Sequence, residues 1–297
     1  MKILIIGSKG FIGAHCVSYF SKAHAVWQCD VVSDYVSDNY FIVDATNADY
    51  ANVFQSQNYD LCINCSGAAS VPDSIKNPHR DFTLNVVNVH KQLDAIRQYN
   101  PNCKYINFSS AAVYGNPTEL PIKEAAETHP ISPYGHHKKL AEAVCETFYK
   151  AYNISTCSLR IFSAYGPGLQ KQLFWDLNKK AAGHTSVSLF GTGDETRDFI
   201  YISDLLEAIN TVVNTSSFRS DVINVASGKE SAIKDVVATF YGLLSKEVSY
   251  NFRGEEREGD PSHWQADISK LQQFGFQPKV SIEDGLKHYV AWLNANA

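Results

Sequence analysis

Short apolar runs alternate with amphipathic stretches through the first half of the chain. Residues 2–6, 25–29, 40–43, 61–65, 104–108 and 155–160 read as strands. Between them, residues 11–21, 49–57, 80–99 and 134–152 carry helical spacing. Strands that stay apolar on both faces, alternating with helices, predict a parallel sheet covered on both sides. Right-handed crossovers then give a doubly wound α/β fold, whose ligands bind beyond the carboxyl ends of the strands. The pattern loosens after Ser163, and Tyr165-Gly-Pro-Gly168 is a turn cluster. The expected division is residues 1–165 and a smaller α/β substrate-binding domain, 166–297, with the chain crossing back to the first domain near 199–226. The second part is expected to hold helices 170–181 and 202–213, strands near 187–190 and 222–225, a charged loop at 253–260 and two final helices.

The first strand runs into Gly7-Ser-Lys-Gly10-Phe11-Ile12-Gly13, which opens the first helix. Glycines permit the tight turn and a close approach of backbone to a pyrophosphate, and the helix N-terminus adds unpaired N–H donors. The placement between strand and helix gives the motif its weight and predicts a Rossmann-type dinucleotide site. Asp30 ends the next strand, about 20 residues on, where a carboxylate accepts from the adenosine ribose hydroxyls. It would repel the additional phosphate of NADP, and no Lys or Arg occurs from Val31 to Asp60 to offset it, so NAD is the expected cofactor. Asp44 and Ala45 are placed at the adenine, although an Asp after a strand is also a common helix cap. Ser66, Gly67 and Ala68, just past the fourth strand, complete this side.

Composition narrows the class. The 297 residues carry 26 Lys plus Arg and 31 Asp plus Glu, a net charge of −5. This gives no basic field for nucleic acid or anionic membrane. No apolar run is long enough to span a bilayer, and none reads as a signal peptide, so a cytoplasmic protein is expected. Seven scattered cysteines read as reduced, mostly buried thiols. Cys62 and Cys65 have redox spacing, but three apart on a strand they face opposite sides.

Tyr134 and Lys138 stand four apart at the start of a helix, on one face. A phenol is a poor base at neutral pH, and a neighbouring ammonium lowers its pKa. Phe108-Ser-Ser110 brings hydroxyls to a strand end, and Ser110 is the candidate for holding the reacting oxygen, with Ser109 turned the other way. His136 and His137 point about 100° apart on the helix, which does not suit a shared metal ion. They read as helix-surface residues, with one of them near the substrate as the alternative, and no metal site is expected.

Gly7, Gly10, Gly13, Asp30, Ser110, Tyr134 and Lys138 together resemble the extended short-chain dehydrogenase/reductase family, in its nucleotide-sugar epimerase/dehydratase branch (UDP-glucose 4-epimerase-like). The resemblance runs nearly the whole chain. It implies a nucleotide-diphosphate sugar as substrate, Asn85 on the cofactor side, Arg197 and Arg257 as diphosphate ligands, and Asp260 facing the nucleoside. Ser163 stands where the family usually has a substrate-touching Asn. Helices 80–99 and 134–152 resemble the pair through which family members form homodimers. The acid–base pair of the dehydratases is replaced by Ala111 and Ala112, which removes dehydration. What the resemblance leaves is NAD-dependent redox at sugar C4: a 4-epimerase working through a 4-keto intermediate, or alternatively a 4-ketoreductase. A non-catalytic NAD sensor or scaffold is the reading from another class.

Overall fold

The computed structural model describes residues 1–184, 186–245, 247–255, 259 and 261–296. Its strands, in chain order, are β1 (Lys2–Ile6), β2 (Ala25–Asp30), β3 (Tyr40–Ile42), β4 (Leu61–Asn64), β5 (Lys104–Ser110), β6 (Thr156–Ile161), β7 (Ser163–Tyr165), β8 (Ser186–Leu189), β9 (Thr196–Tyr201), β10 (Arg219–Val225), β11 (Glu230–Ala232) and β12 (Ser249–Phe252). The helices are α1 (Phe11–Phe20), α2 (Ala51–Gln55), α3 (Val71–Lys76), α4 (Pro78–Phe82), α5 (Asn88–Tyr99), α6 (Pro133–Tyr152), α7 (Gln172–Gly183), α8 (Ile202–Thr215), α9 (Ile233–Gly242), α10 (Ser269–Gln273) and α11 (Ile282–Ala295).

Seven strands form one sheet in the order β10-β6-β5-β4-β1-β2-β3. Every neighbour pair is parallel. The doubly wound architecture expected from the apolar strands is therefore present. From β1 the chain builds outward to β2 and β3, then returns to β4 on the other side. The direction of winding reverses between β1 and β4, and a crevice opens at their carboxyl ends. One apolar layer packs β1, β4, β5, β6 and β10 against α1 and α8. The other packs the opposite face against α2, α5 and α6. Cys62 belongs to the second layer and Cys65 packs against the first, so the two thiols diverge as the strand period requires. All seven cysteines are free.

After β6 the chain leaves the large sheet. β7 and β9 pair in parallel and β11 adds antiparallel to β9. A third apolar cluster seats β7 and β9 on α7, α9 and α11. α8 then packs against α1, and β10 pairs along β6, closing the edge of the large sheet. No helix among the described residues is long and apolar enough to cross a membrane.

Several boundaries differ from those read in the sequence. The helix expected at 49–57 is the shorter Ala51–Gln55, and that expected at 170–181 is Gln172–Gly183. Strands β7, β9, β11 and β12 were not expected. Two of them have three residues, too few to show a period, and the alternation of β9 is obscured by Arg197 and Asp198. The helix expected at 80–99 starts at Pro78 and is broken by a π-helical turn over Thr83–Val87. Such turns admit one extra residue and recur at functional sites.

Candidate active site

The glycine loop lies against the end of β4. A Cβ on Gly7 would stand 2.6 Å from Ser66 N, and one on Gly13 only 1.9 Å from Gly7 O. Gly7 also has φ +80°, a left-handed conformation that favours glycine. The loop thus keeps an open backbone cradle at the start of α1. Asp30 is buried at the end of β2, where it accepts from Lys9 N at 2.7 Å, Val31 N at 2.6 Å and Val32 N at 3.4 Å. Its carboxylate is thereby fixed at the mouth of the cradle. The structure adds a cation that the span from Val31 to Asp60 lacks: Lys9 pairs with Asp34, with its ammonium 5.0 Å from the Tyr40 ring centre.

Asp44 is exposed and turns its Oδ1 to Thr46 N, Thr46 Oγ1 and Asn47 N, which holds its carboxyl below the ordinary range. The Ala45 carbonyl accepts from Asn88 Nδ2 at 2.8 Å. Ser66 donates to Asn64 Oδ1 through both N and Oγ. Gly67 sits at φ +115°, where a Cβ would meet Asn85 Oδ1 at 2.5 Å and Lys138 Nζ at 3.5 Å, and Ala68 follows it, half-buried. Phe11 and Ile12, half-buried, pack against the first apolar layer. The Ser8 hydroxyl and both polar atoms of the Asn85 carboxamide are buried without a hydrogen-bond partner among the described residues. An open glycine cradle, a fixed ribose-side carboxylate and an unmet carboxamide all suit a dinucleotide.

The opposite wall is built by α6. Ser132 caps it, its Oγ accepting from Gly135 N at 3.2 Å, and Pro133 takes the first turn. A Cβ on Gly135 would stand 2.5 Å from Ala112 O, so this glycine lets the helix start touch the short turn Ala111–Val113 that follows β5. That contact brings Tyr134 beside Ser110. Lys138, buried, donates from Nζ to Phe108 O at 2.8 Å and lies 5.8 Å from the Tyr134 ring centre. Ser109 faces the other way and donates to Glu142 Oε1 at 2.6 Å, as strand alternation requires.

Burial pushes the Tyr134 phenol up to about 12; the Ser110 hydroxyl draws it back, and the Asp81 carboxylate raises it further. Burial also lowers the Lys138 ammonium to about 8, against the pull of Asp81 and Glu142. Both groups therefore pay for lying out of water, and neither is charged at ease. Ala111 and Ala112 pack with Trp264 in an apolar cluster and bring no acid or base to this wall.

The farther candidates divide. Ser163, half-buried, pairs in register with Phe199 at the start of β7. Arg197, on β9, lies 5.5 Å from the Trp264 ring centre and donates to Thr196 O and Ser262 O. Arg257 and Asp260 lie outside the described residues.

One group was misjudged. His137 is not freely exposed as a helix-surface residue would be, and is the one of the two histidines that turns toward the site: its Nδ1 lies 2.6 Å from Oδ1 of Asp81, whose side chain is 1% exposed. A signal was present in the sequence. Asp81, Asn85, Asn88 and Gln92 recur at helical spacing and all four are buried, each with at least one unpartnered polar atom among the described residues. A polar stripe on the inward face of a helix points to a site.

Comparison with known proteins agrees with this geometry. A solved UDP-N-acetylglucosamine 4-epimerase from Methanobrevibacter ruminantium M1, in complex with UDP-N-acetylmuramic acid, is 27% identical over 100% of this chain and 99% of that one, with a TM-score of 0.88. A UDP-glucuronic acid 4-epimerase from Bacillus cereus, solved with UDP-glucuronic acid and NAD, is 26% identical over 100% of both chains, with a TM-score of 0.90. A putative UDP-glucose 4-epimerase of Methanocaldococcus jannaschii is 26% identical across 99% of each chain. The model of the NAD dependent epimerase/dehydratase family matches residues 3–226, which span the glycine cradle, Asp30, Ser110, Tyr134 and Lys138. On that match, supported by the sheet and its crevice, the chain belongs to the NAD dependent epimerase/dehydratase family.

Proposed function

We propose that the protein is a nucleotide-sugar 4-epimerase that keeps its NAD and inverts a sugar hydroxyl at C4. The observation that carries this is the meeting of Ser110, Tyr134 and Lys138 at the carboxyl end of β5, beside Ala111 and Ala112, which bring no acid or base of their own. The glycine cradle and Asp30 would hold the dinucleotide, with Gly67 and Asn85 lining its approach to Lys138. When bound, NAD supplies a hydride acceptor and donor and a positive ring charge.

Tyr134 takes the proton of the C4 hydroxyl and later returns it. Ser110 holds that oxygen through its hydroxyl. Lys138 favours the phenolate by charge, and its own hydrogen bond to Phe108 O aims it. Ala111 and Ala112 can neither remove a proton from C5 nor protonate a leaving hydroxyl, so elimination is not supported. Arg197 of β9, with Arg257, is assigned to the diphosphate and Asp260 to the nucleoside; Ser163 is assigned to the substrate near its diphosphate. Relatives that act on UDP-linked sugars support this substrate class. Exposed Phe82, Tyr99, Leu140 and Tyr152 along the helices from α4 to α6 support a homodimer.

The test is to denature purified protein and measure released NAD, then to offer UDP-, GDP-, CDP- and dTDP-sugars with and without added NADH. NAD near one per chain, with inversion at C4 and no added cofactor, is the expected result. An empty protein that turns over only 4-keto sugars and only with added reduced cofactor would make it a ketoreductase. Bound NAD without turnover of any sugar would favour a sensor.

A further inference from the structure

Among the described residues, Asp81 and His137 form an acid–base contact near Tyr134 that the proposed mechanism leaves unused. Asp81 lies on α4, in the turn before the π-helical segment that carries Asn85, and His137 directly precedes Lys138 on α6. The Asp81 carboxylate is buried. Its Oδ1 meets His137 Nδ1, and its Oδ2 has no partner among the described residues. The Phe82 ring stands edge-on to the imidazole at 5.4 Å and shields it from that side.

A buried carboxylate with an unmet oxygen is costly, and its field reaches whatever charge forms nearby. The charge that must form nearby is the Tyr134 phenolate. Several other charged groups around α6 have partners elsewhere. Arg80 of α4 pairs with Asp73 of α3, and Arg160 of β6 pairs with Glu142 of α6. Lys138 is directed at Phe108 O. On α5, His90 packs on Phe148, further along α6. Asp81 therefore faces the Tyr134–Lys138 end of the helix with His137 as its one bonded partner among the described residues.

We propose that Asp81 and His137 are positioning residues that set the acidity of Tyr134: the carboxylate opposes the phenolate, and the imidazole N–H offsets the carboxylate. The proposal rests on Tyr134 being the base of the reaction. The direction in which Asp81 moves Tyr134 and Lys138 supports it, since the carboxylate raises both. The two residues do opposite work, so their removal has opposite signs.

The experiment titrates NAD-loaded protein by phenolate absorbance, with the spectrum of Tyr134→Phe subtracted to isolate Tyr134. Asp81→Asn, which keeps the shape and drops the charge, is expected to make Tyr134 more acidic by about tenfold in its ionisation constant. His137→Leu, which leaves the carboxylate without its donor, is expected to make it less acidic by a similar factor. The double variant is expected to match Asp81→Asn, because the imidazole then has nothing to offset. If His137→Leu does not fold, the double variant, which buries no lone charge, carries the same test. Shifts of the same sign, or no shift in Asp81→Asn and the double variant, overturn the proposal. The absorbance is read whether or not turnover depends on Tyr134, and loss of turnover in Tyr134→Phe tests that dependence separately.

Discussion

Two buried acid–base pairs hold α6, and they are finished differently. Toward the middle of the helix, Arg160 grips Glu142 through Nε and Nη2, and its Nη1 donates to the Tyr114 hydroxyl and Glu124 O. Glu142 accepts from Ser109 as well, and the Tyr114 hydroxyl donates to Asn224 Oδ1. Burial disfavours the Arg160 charge, yet Glu142 and Tyr114 outweigh it and hold the guanidinium above its ordinary value. Just over one turn earlier, Asp81 has one side-chain bond and one oxygen unmet among the described residues, Asn85 has a carboxamide likewise unmet, and Lys138 is pushed toward neutrality. The first pair is a closed network that ties β5, β6 and β10 to the helix. The second leaves valence over, and leftover valence beside a crevice is where a ligand is received.

The sharpest break between the two regions is Tyr134→Phe. It is expected to lower turnover by a factor of about 100 to 10,000 while the thermal midpoint stays put, because only one hydroxyl at the open end is lost. A large fall in the midpoint would show that this end is framework as well. The reverse is expected of Glu142→Leu. Removing one partner of a buried pair leaves the other charge alone, at about 3–5 kcal/mol, read as a lower urea midpoint. A near-neutral result would mean that Arg160 reaches water when released.

The smallest effect lies in the pH dependence of stability and belongs to Lys138. Its folded pKa, about 8, is below the ordinary 10.5, so the folded chain binds fewer protons between those values. Stability contributed by this group therefore rises with pH across that window, and the full cost of charging it is present below pH 8. Lys138→Met is expected to lose activity yet to unfold at higher urea than the unsubstituted protein near neutrality, with the advantage shrinking as pH approaches 10.5. An advantage that stays constant with pH would assign it to packing alone.

The closed and open regions were also unequally legible. Gly7, Gly10, Gly13 and Asp30 act through short-range backbone geometry, and their spacing together with their placement between a strand and a helix made a dinucleotide cradle legible. Tyr134 and Lys138 were visible because a helix fixes the relation of residues four apart. The meeting of Asp81 with His137 was not, since the two lie 56 residues apart in sequence and meet only when α4 packs on α6; of the two, the polar stripe marked Asp81 alone. The π-turn hid too: its extra residue shifts the phase of the apolar face, and no composition cue marks it. Short strands such as β7 and β11 gain their identity from partners, which a local pattern does not contain.

The return of the chain through α8 to β10 has a further consequence. The strand that closes the large sheet is drawn from sequence that comes after the smaller sheet has begun. A chimera joined at Tyr165 would thus strip the donor of its outermost strand and graft a foreign one onto the recipient. Exchange of substrate preference between relatives must proceed by replacing individual loops, not by shuffling halves.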